Sequence, residues 1–266
     1  MRVASDVAIG WMGALGRRTA VLLLAGSGVS CALFTSPSEG RSGPCPAGMA
    51  YVTIEESPRR SYCIDRWEGS IVELRGNKEV AHPPYEPVTN LKVKAVAKAG
   101  VVPQGYISKN EAEAACKAAR KRLCSGEEWQ FACRGKKPTT FPYGDERKEG
   151  YCNDSGRAPL ATLNPGLGDA IYSSAEALND PRINKAPNTV AKTGEFSKCK
   201  NAFGVHDMVG NLHEWTADVN GSRGVFRGGY YQDTHLNGDG CKYKTVAHDV
   251  TYHDYSTGFR CCADAR

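Results

Sequence analysis

Eleven cysteines spread along a chain of 266 residues limit the possible folds of this protein more than any other feature. Such a cysteine content persists as disulfide bonds in oxidising compartments and is rare in cytosolic proteins. Because the number is odd, one cysteine needs a separate role if the other ten form five bridges. No two cysteines have the C-x-x-C spacing, so a zinc ribbon is not expected. The alternative is a cytosolic enzyme with ten free, buried thiols.

The first thirty residues have the pattern of an export signal. The stretch GRRTAVLLLAGSGVSC places two arginines before a short apolar run and small residues before Cys31, which is the layout of a secretory signal. The run is too short to span a bilayer. Gly28–Cys31 resembles a bacterial lipobox, although Gly28 stands where leucine is usual. We therefore expect Cys31 to be lipidated, with ordinary cleavage and secretion as the alternative.

These observations divide the chain into three parts. We predict an export signal at residues 1–30, a short flexible tether at residues 31–44 and one domain at residues 45–266, which contain no linker, repeat or low-complexity segment. The 29 glycines and 14 prolines favour a turn-rich fold over a helical bundle. A formal net charge of +5 without clustered lysines and arginines does not indicate a nucleic-acid partner.

Two segments carry the start signals of helices. SKNEAEAACKAARKRL and SGEEWQFACRG each begin with a serine followed three residues later by a glutamate, the pattern of a capping box. Cys116 and Cys133 fall on the apolar faces of these helices. That placement favours disulfides over exposed reactive thiols. Residues 141–200, by contrast, show little periodicity, and so long an irregular stretch needs an anchor such as disulfides or a metal ion.

Several separated motifs resemble, in order, those of the sulfatase-modifying-factor (formylglycine-generating enzyme) family. ARKRLCSGEEWQFACRG is similar to the family's GKRLP-[ST]-E-x-EW, and FPYGD to its YPWGD element. GVHDMVGNLHEWTAD matches GxxDMxGNxxEW, and RGGYY…GFRC matches RGGS…GFR. Across residues 45–266 this resemblance implies an α+β protein with a C-type-lectin-like fold, rich in irregular loops and braced by disulfides.

The chain departs from the family at the catalytic positions. The family's enzymes oxidise a sulfatase cysteine to formylglycine with a copper ion held by two thiolates in the stretch GGS-[YF]-x-C-x4-C. The corresponding positions here are Asp233 and Gly238, while Tyr230 replaces the family serine and His213 the family tryptophan. Cu(I) is soft and prefers thiolates, whereas a carboxylate is hard and glycine has no side chain. We therefore do not expect formylglycine generation.

The resemblance also implies how the cysteines pair. The family ties a cysteine of the EW…CRG helix to one just after the active-site stretch, and one of the preceding helix to GFRC. Cys262 would face the opposite side of its strand from Cys261. Connectivity beyond the two inherited pairs cannot be fixed from the sequence. The expected bridges are Cys133–Cys241 and Cys116–Cys261 by resemblance, and Cys124–Cys262, Cys45–Cys63 and Cys152–Cys199 to complete the set.

Structural calcium is a further property that the resemblance implies. Ca²⁺ takes six to eight oxygen ligands from flexible loops. The alternative is that the residues in question are ordinary solvated loop polar groups. The family's first site corresponds to Asp207, Glu214 and the carbonyls of Gly210 and Leu212. A second site corresponds to Asn153 and Asp180 with the carbonyls of Asp154 and Arg182.

Two classes of function remain open at this stage. The first is a binding or accessory module at the bacterial cell envelope, in the periplasm or on the cell surface and attached to the membrane through its lipid. In that case the former catalytic groove contacts a peptide, protein or glycan. Tyrosines in such a strand are equally compatible with a packed core. The groove candidates are Tyr230, Tyr231, Asp233, His235 and Asn237.

The second class is a divergent oxidoreductase of the same family with iron or copper. Asp233, His235, His248 and His253 offer nitrogen and oxygen donors that suit such metals. The five-residue spacing of His248 and His253 matches no ligand motif. Iron-dependent relatives take their histidines from an extra helical domain, for which this chain has no room. Ordinary surface or hydrogen-bonded histidines are the simpler interpretation.

Overall fold

The structure is a computed structural model that describes residues 43–55, 60–246 and 248–266. The predicted export signal, Cys31 and most of the predicted tether lie outside the described residues. The described residues belong to one unit, Arg41–Arg266. In this part of the chain, no helix has the length and apolar character needed to cross a membrane.

Three small sheets form the frame of the described region, as expected for the α+β class. Their strand orders are β1-β2-β11-β6, β10-β7-β8-β9 and β4-β3-β5. Neighbouring strands are antiparallel except β10 and β7, which are parallel. The strands are β1 (Met49–Ile54), β2 (Arg60–Asp65), β3 (Gly69–Arg75), β4 (Lys78–Ala81), β5 (Val93–Ala97), β6 (Arg122–Leu123), β7 (His213–Asn220), β8 (Arg223–Arg227), β9 (Lys244–Thr245), β10 (Thr257–Phe259) and β11 (Cys261–Asp264).

Close contact between β3 and the C-terminal strands explains one glycine. The β3 strand buries alternate residues, as a strand with one face on a core does. A Cβ atom at Gly69, the first residue of β3, would lie 2.5 Å from the ring of Phe259 in β10. Gly69 therefore lets the aromatic ring pack directly against the backbone.

The helices begin where the capping boxes predict. They are α1 (Lys109–Ala118), α2 (Gly126–Arg134), α3 (Leu160–Leu163) and α4 (Ala175–Leu178), with 3₁₀ turns at Gly168–Tyr172 and Gly240–Lys242. The side chain of Ser108 caps α1 and that of Ser125 caps α2, each accepting a hydrogen bond from the backbone N–H three residues later. Such a cap contributes about 1 kcal/mol.

Five disulfides connect these elements, and they are the five pairs expected from the sequence: Cys45–Cys63, Cys116–Cys261, Cys124–Cys262, Cys133–Cys241 and Cys152–Cys199. Adjacent cysteines of β11 bond to opposite sides, one to α1 and the other to the segment before α2. The Cys116–Cys261 bridge closes a sequence separation of 145 residues. Closing so long a loop stabilises the fold by about 5 kcal/mol in the chain-entropy model.

The irregular region between α2 and β7 is anchored at both ends. Cys152 and Cys199 join its two sides across 47 residues. Its short helices pack into a separate apolar cluster that also contains Tyr231 and Tyr255 from the C-terminal part of the chain. The irregular loops are thus fixed next to the stretch that corresponds to the family's catalytic site.

Candidate functional site

The carboxylate of Asp233 organises the loop that corresponds to the family's metal-binding stretch. One oxygen accepts hydrogen bonds from the backbone N–H groups of His235, at 2.8 Å, and Leu236, at 3.0 Å. The other accepts a hydrogen bond from the hydroxyl of Tyr243 at 2.9 Å. Tyr230 and Asp233 also exchange two backbone hydrogen bonds. The position of the first family thiolate is therefore occupied by a carboxylate whose three bonds hold the turn together.

The second thiolate position has a backbone conformation that suits glycine. Gly238 has a φ of +104°, and a Cβ there would lie 3.1 Å from the carbonyl oxygen of Lys242. L-residues rarely adopt such angles. In the described part of the chain all ten cysteines form disulfides, including Cys241 with Cys133. The residues at this site do not fit a copper ion that requires two thiolates.

His213 lies in a cage of aromatic rings beside this loop. Its ring centroid is 4.3 Å from that of Phe226, 4.8 Å from Tyr230 and 5.4 Å from Tyr243. Burial lowers the pKa of His213 to about 3, and its Nδ1 atom has no hydrogen-bond partner within the described residues. The imidazole is therefore neutral near pH 7 and packs as an aromatic ring.

The groove candidates separate into an inner and an outer set. Tyr231 is completely buried, and its hydroxyl donates to the amide oxygen of Asn184 at 3.1 Å. Asn237 donates to the hydroxyl of Tyr243 at 3.0 Å, so Tyr243 joins Asn237 to Asp233. His235 is exposed, with Nδ1 3.0 Å from Asp239. Tyr243 was not predicted as a site residue, and no motif in the sequence signals its role.

The other histidine donors do not converge on this loop. His248 stacks on Tyr252 with centroids 3.8 Å apart, and burial lowers its pKa. His253 lies 2.7 Å from the amide oxygen of Asn179. Among the described residues, no group of three or more histidine, cysteine, aspartate or glutamate side chains is arranged to hold a metal ion.

The first calcium set lies in a buried, charged cluster. The Glu214 carboxylate accepts hydrogen bonds from Arg260 and from the indole N–H of Trp129, all at 2.6 Å. Asp207 accepts one from the backbone N–H of Gly194 at 2.7 Å. Glu214 is thus saturated by protein donors in this arrangement, and Asp207 retains capacity for a further positive partner.

Glu68 is a third buried carboxyl in this cluster, and no motif in the sequence signals its position. It accepts hydrogen bonds from the Asn211 amide at 2.6 Å and from the Leu212 N–H at 3.3 Å. Burial, together with the Asp207 and Glu214 carboxylates, raises the pKa of Glu68. Burial also raises the pKa of Asp207 to about 7. Three carboxyls and one guanidinium are buried together, so the cluster needs protons or a bound cation to balance its charge.

The side chains of the second predicted calcium set form hydrogen bonds and an ion pair within the protein. The Asn153 amide donates to the carbonyl of Thr189 at 2.8 Å and to the side chain of Asn211 at 2.9 Å. Asp180 forms a short-range ion pair with Arg182. Across the described residues, no hydrogen bond or ion pair connects Asn153 with Asp180. The hydrogen bond from Asn153 to Asn211 connects the second predicted calcium set with the segment of the first, residues 207–214.

The fold and the site together define a class of protein: a disulfide-braced, loop-rich domain of the formylglycine-generating enzyme type that lacks the thiolate pair. Residues 71–265 match the family described as "Sulfatase-modifying factor enzyme 1-like domain", so the chain belongs to this family. The predicted family membership is confirmed.

Curated relatives include both active and inactive enzymes. The chain is 30% identical over 138 residues to "Inactive C-alpha-formylglycine-generating enzyme 2" of Bos taurus, covering 50% of this chain and 39% of that protein. It is 27% identical over 185 residues to "Formylglycine-generating enzyme" of Mus musculus, covering 60% of this chain and 43% of that protein. The chain thus spans about two-fifths of the length of these relatives.

Among solved structures, the chain is similar to "Structure of PvdO from Pseudomonas aeruginosa". The TM-score is 0.47 at 16% identity, and the match covers 81% of this chain and 92% of that chain.

Proposed function

We propose that this protein is a family member without formylglycine-generating activity that acts as a binding or accessory module at the bacterial cell envelope. The observation that carries the proposal is the state of the two thiolate positions. Asp233 is bound by three hydrogen-bond donors, and Gly238 lies in a backbone conformation that suits glycine. Copper catalysis through a thiolate pair has no ligands at these positions.

Two further observations support this proposal. Relatives named as inactive formylglycine-generating enzyme 2, from Bos taurus and Mus musculus, are about as similar to this chain as the active enzymes are. Five disulfides also favour an oxidising compartment. Export through residues 1–30 and lipidation of Cys31 would place the domain in such a compartment, tethered to a membrane.

The proposed contact surface is the exposed side of the 232–239 loop. Asp233 makes this loop rigid, and Leu236 stands out from it with 86% of its surface exposed. Tyr230, His235 and Asn237 add an aromatic ring and polar groups at its edges. A preorganised loop loses little entropy when it binds a peptide, protein or glycan. Tyr231 supports this loop from the core.

The test combines metal analysis, thiol counting and an oxidation assay on the purified mature protein. We expect no stoichiometric copper or iron, no free thiol in the non-reduced domain and no aldehyde in a sulfatase peptide. An active formylglycine-generating enzyme treated identically is the positive control. One equivalent of copper accompanied by aldehyde formation would overturn the proposal. One equivalent of iron would favour the oxidoreductase alternative.

Structural calcium remains part of the proposal. The unbalanced negative charge of Glu68, Asp207 and Glu214 against Arg260 supports a cation at the first set. Asp207 and the loop carbonyls of Gly210 and Leu212 would hold it. A calcium ion supplies two positive charges where the protein supplies too few, and hard oxygen ligands suit it.

A further inference from the structure

A groove on another part of the surface lies between the end of α2, the strand β1 and the loop around Phe203. Its volume is about 660 Å³. We call it the basic groove because its lining includes three cationic and three aromatic side chains. These are Arg134, Lys136, Lys137, Tyr51, Tyr143 and Phe203.

The positive charge of the basic groove is not balanced by the described residues of its lining, among which there is no aspartate or glutamate. Within the described residues, Lys136 and Lys137 take part in no ion pair. The two acids in the first turn of α2 are engaged elsewhere: Glu127 pairs with Arg60, and Glu128 with Arg122. The groove therefore presents a positive field that an anionic ligand would complement.

Lys136 and Lys137 could have a purely structural role at the carboxyl end of α2, where cations stabilise unsatisfied carbonyl groups. Three of the last four carbonyls there already have partners. That of Phe131 accepts from the N–H of Gly135 at 3.0 Å, and that of Arg134 accepts from the N–H of Thr139 at 3.2 Å. That of Ala132 accepts from the Asn201 amide at 2.9 Å. Lys136 and Lys137 follow the C-cap and are not required as hydrogen-bond donors to the helix.

The aromatic side chains give the basic groove flat apolar faces. Tyr51 is 43% exposed. Tyr143 is half-buried and stacks on Phe141 with centroids 5.6 Å apart, which fixes its orientation. Phe203 is likewise half-buried, with its ring 6.2 Å from that of Phe131. Rings held in place in this way offer contact area at a low entropic cost.

We propose that the basic groove binds an acidic saccharide. Its carboxylate or sulfate groups would pair with Arg134, Lys136 and Lys137, and the apolar face of a sugar ring would lie on Tyr51 or Tyr143. Flat aromatic faces beside cations complement a ligand that is both ring-shaped and anionic. An acidic peptide made only of aspartate and glutamate would use the charges but has no rings for these faces to contact.

This inference goes beyond the proposed function and does not depend on the lost copper ligands. The basic groove shares no lining residue with the 232–239 loop. Aldehyde formation in the oxidation assay would overturn the proposed function without affecting saccharide binding. Absence of saccharide binding would leave the interpretation of the thiolate positions unchanged.

The test measures binding of a sulfated hexasaccharide to the mature protein by isothermal titration calorimetry at low ionic strength. A neutral hexasaccharide and a polyglutamate peptide of equal charge serve as comparison ligands. We expect the sulfated sugar to bind. The double variant K136E/K137E should weaken binding at least about tenfold, because it removes two charge contacts and adds repulsion.

The matched control is K78E/K92E, which changes the net charge equally at two exposed lysines outside the groove. It should retain affinity within about twofold, since screened charges far from the ligand contribute little. Y51A should also weaken binding. The melting temperature of each variant checks that its fold is retained. Absence of binding, an equal loss in K78E/K92E, or equal affinity for the neutral hexasaccharide or polyglutamate would each overturn the assignment.

Discussion

Restoring the two family cysteines should not restore copper chemistry. The double variant Asp233→Cys/Gly238→Cys supplies the missing thiolates in sequence but removes the interactions that shape the loop. The carboxylate of Asp233 accepts three hydrogen bonds, from the backbone of His235 and Leu236 and from the hydroxyl of Tyr243. A cysteine thiol is a weak acceptor and cannot replace all three.

The cost of the double substitution can be worked from these contacts. Three hydrogen bonds of about 1 kcal/mol each give a loss of about 3 kcal/mol. A side chain at Gly238, with φ at +104° and the Lys242 carbonyl oxygen 3.1 Å from its Cβ, adds about 1 to 2 kcal/mol of strain. A total of about 4 to 5 kcal/mol is a large part of a domain's stability of about 5 to 15 kcal/mol.

Urea unfolding with the native disulfides intact measures this loss. With an m-value of about 3 kcal/mol/M, the midpoint should fall by about 1.3 to 1.7 M. The control Asp233→Asn keeps an oxygen acceptor for the turn and should lose less than half as much. After mass spectrometry verifies two free thiols, Cu(I) titration and the sulfatase-peptide assay follow. Stoichiometric copper binding and aldehyde formation with an unchanged midpoint would refute the reasoning.

Three other predictions concern buried ionisable side chains. His213 has a pKa of about 3 in the folded protein against 6.5 when unfolded. The folded state therefore binds fewer protons in this window, and stability is lost as the pH falls from about 6.5 to 3. His213→Phe should flatten that dependence in thermal unfolding at a series of pH values, and an unchanged slope would contradict it. Calcium should raise the melting temperature of chelator-treated protein. Asp207→Ala should abolish this response and Asp180→Ala should retain it, while an equal loss in both variants would contradict the assignment. Arg260→Met should destabilise by about 3 to 5 kcal/mol in urea because Glu214 is left as an uncompensated buried charge, and a loss below about 1 kcal/mol would contradict this account.

Local features of this fold could be predicted from the sequence because their causes are local. A serine three residues before a glutamate is sufficient to start α1 and α2. The alternation of a strand also predicts that Cys261 and Cys262 face opposite sides. In the capping boxes the interacting residues are three positions apart. In the strand the direction of the side chains alternates along a single element.

Features that depend on distant residues could not be predicted in the same way. Glu68 and Asn211 are separated by 143 positions, and nothing in the stretch DRWEGS signals a buried carboxyl beside Asp207. Tyr243 acquires its role only because the chain turns between it and Asp233. The ion pair between Asp180 and Arg182 arises in an irregular region whose course has no periodic signal in the sequence. Only the folded chain determines which loop polar groups meet.

Protein contacts hold both ends of the 230–243 stretch. Asp233 holds the first half through its turn, and Tyr243 connects the end of the stretch back to that carboxylate. The Cys133–Cys241 bridge fixes the same end to α2. A loop bound at both ends by covalent and hydrogen bonds keeps its shape after the copper ligands have been replaced. Because the loop is supported by residues other than the thiolate pair, its exposed side is the surface that we propose for binding.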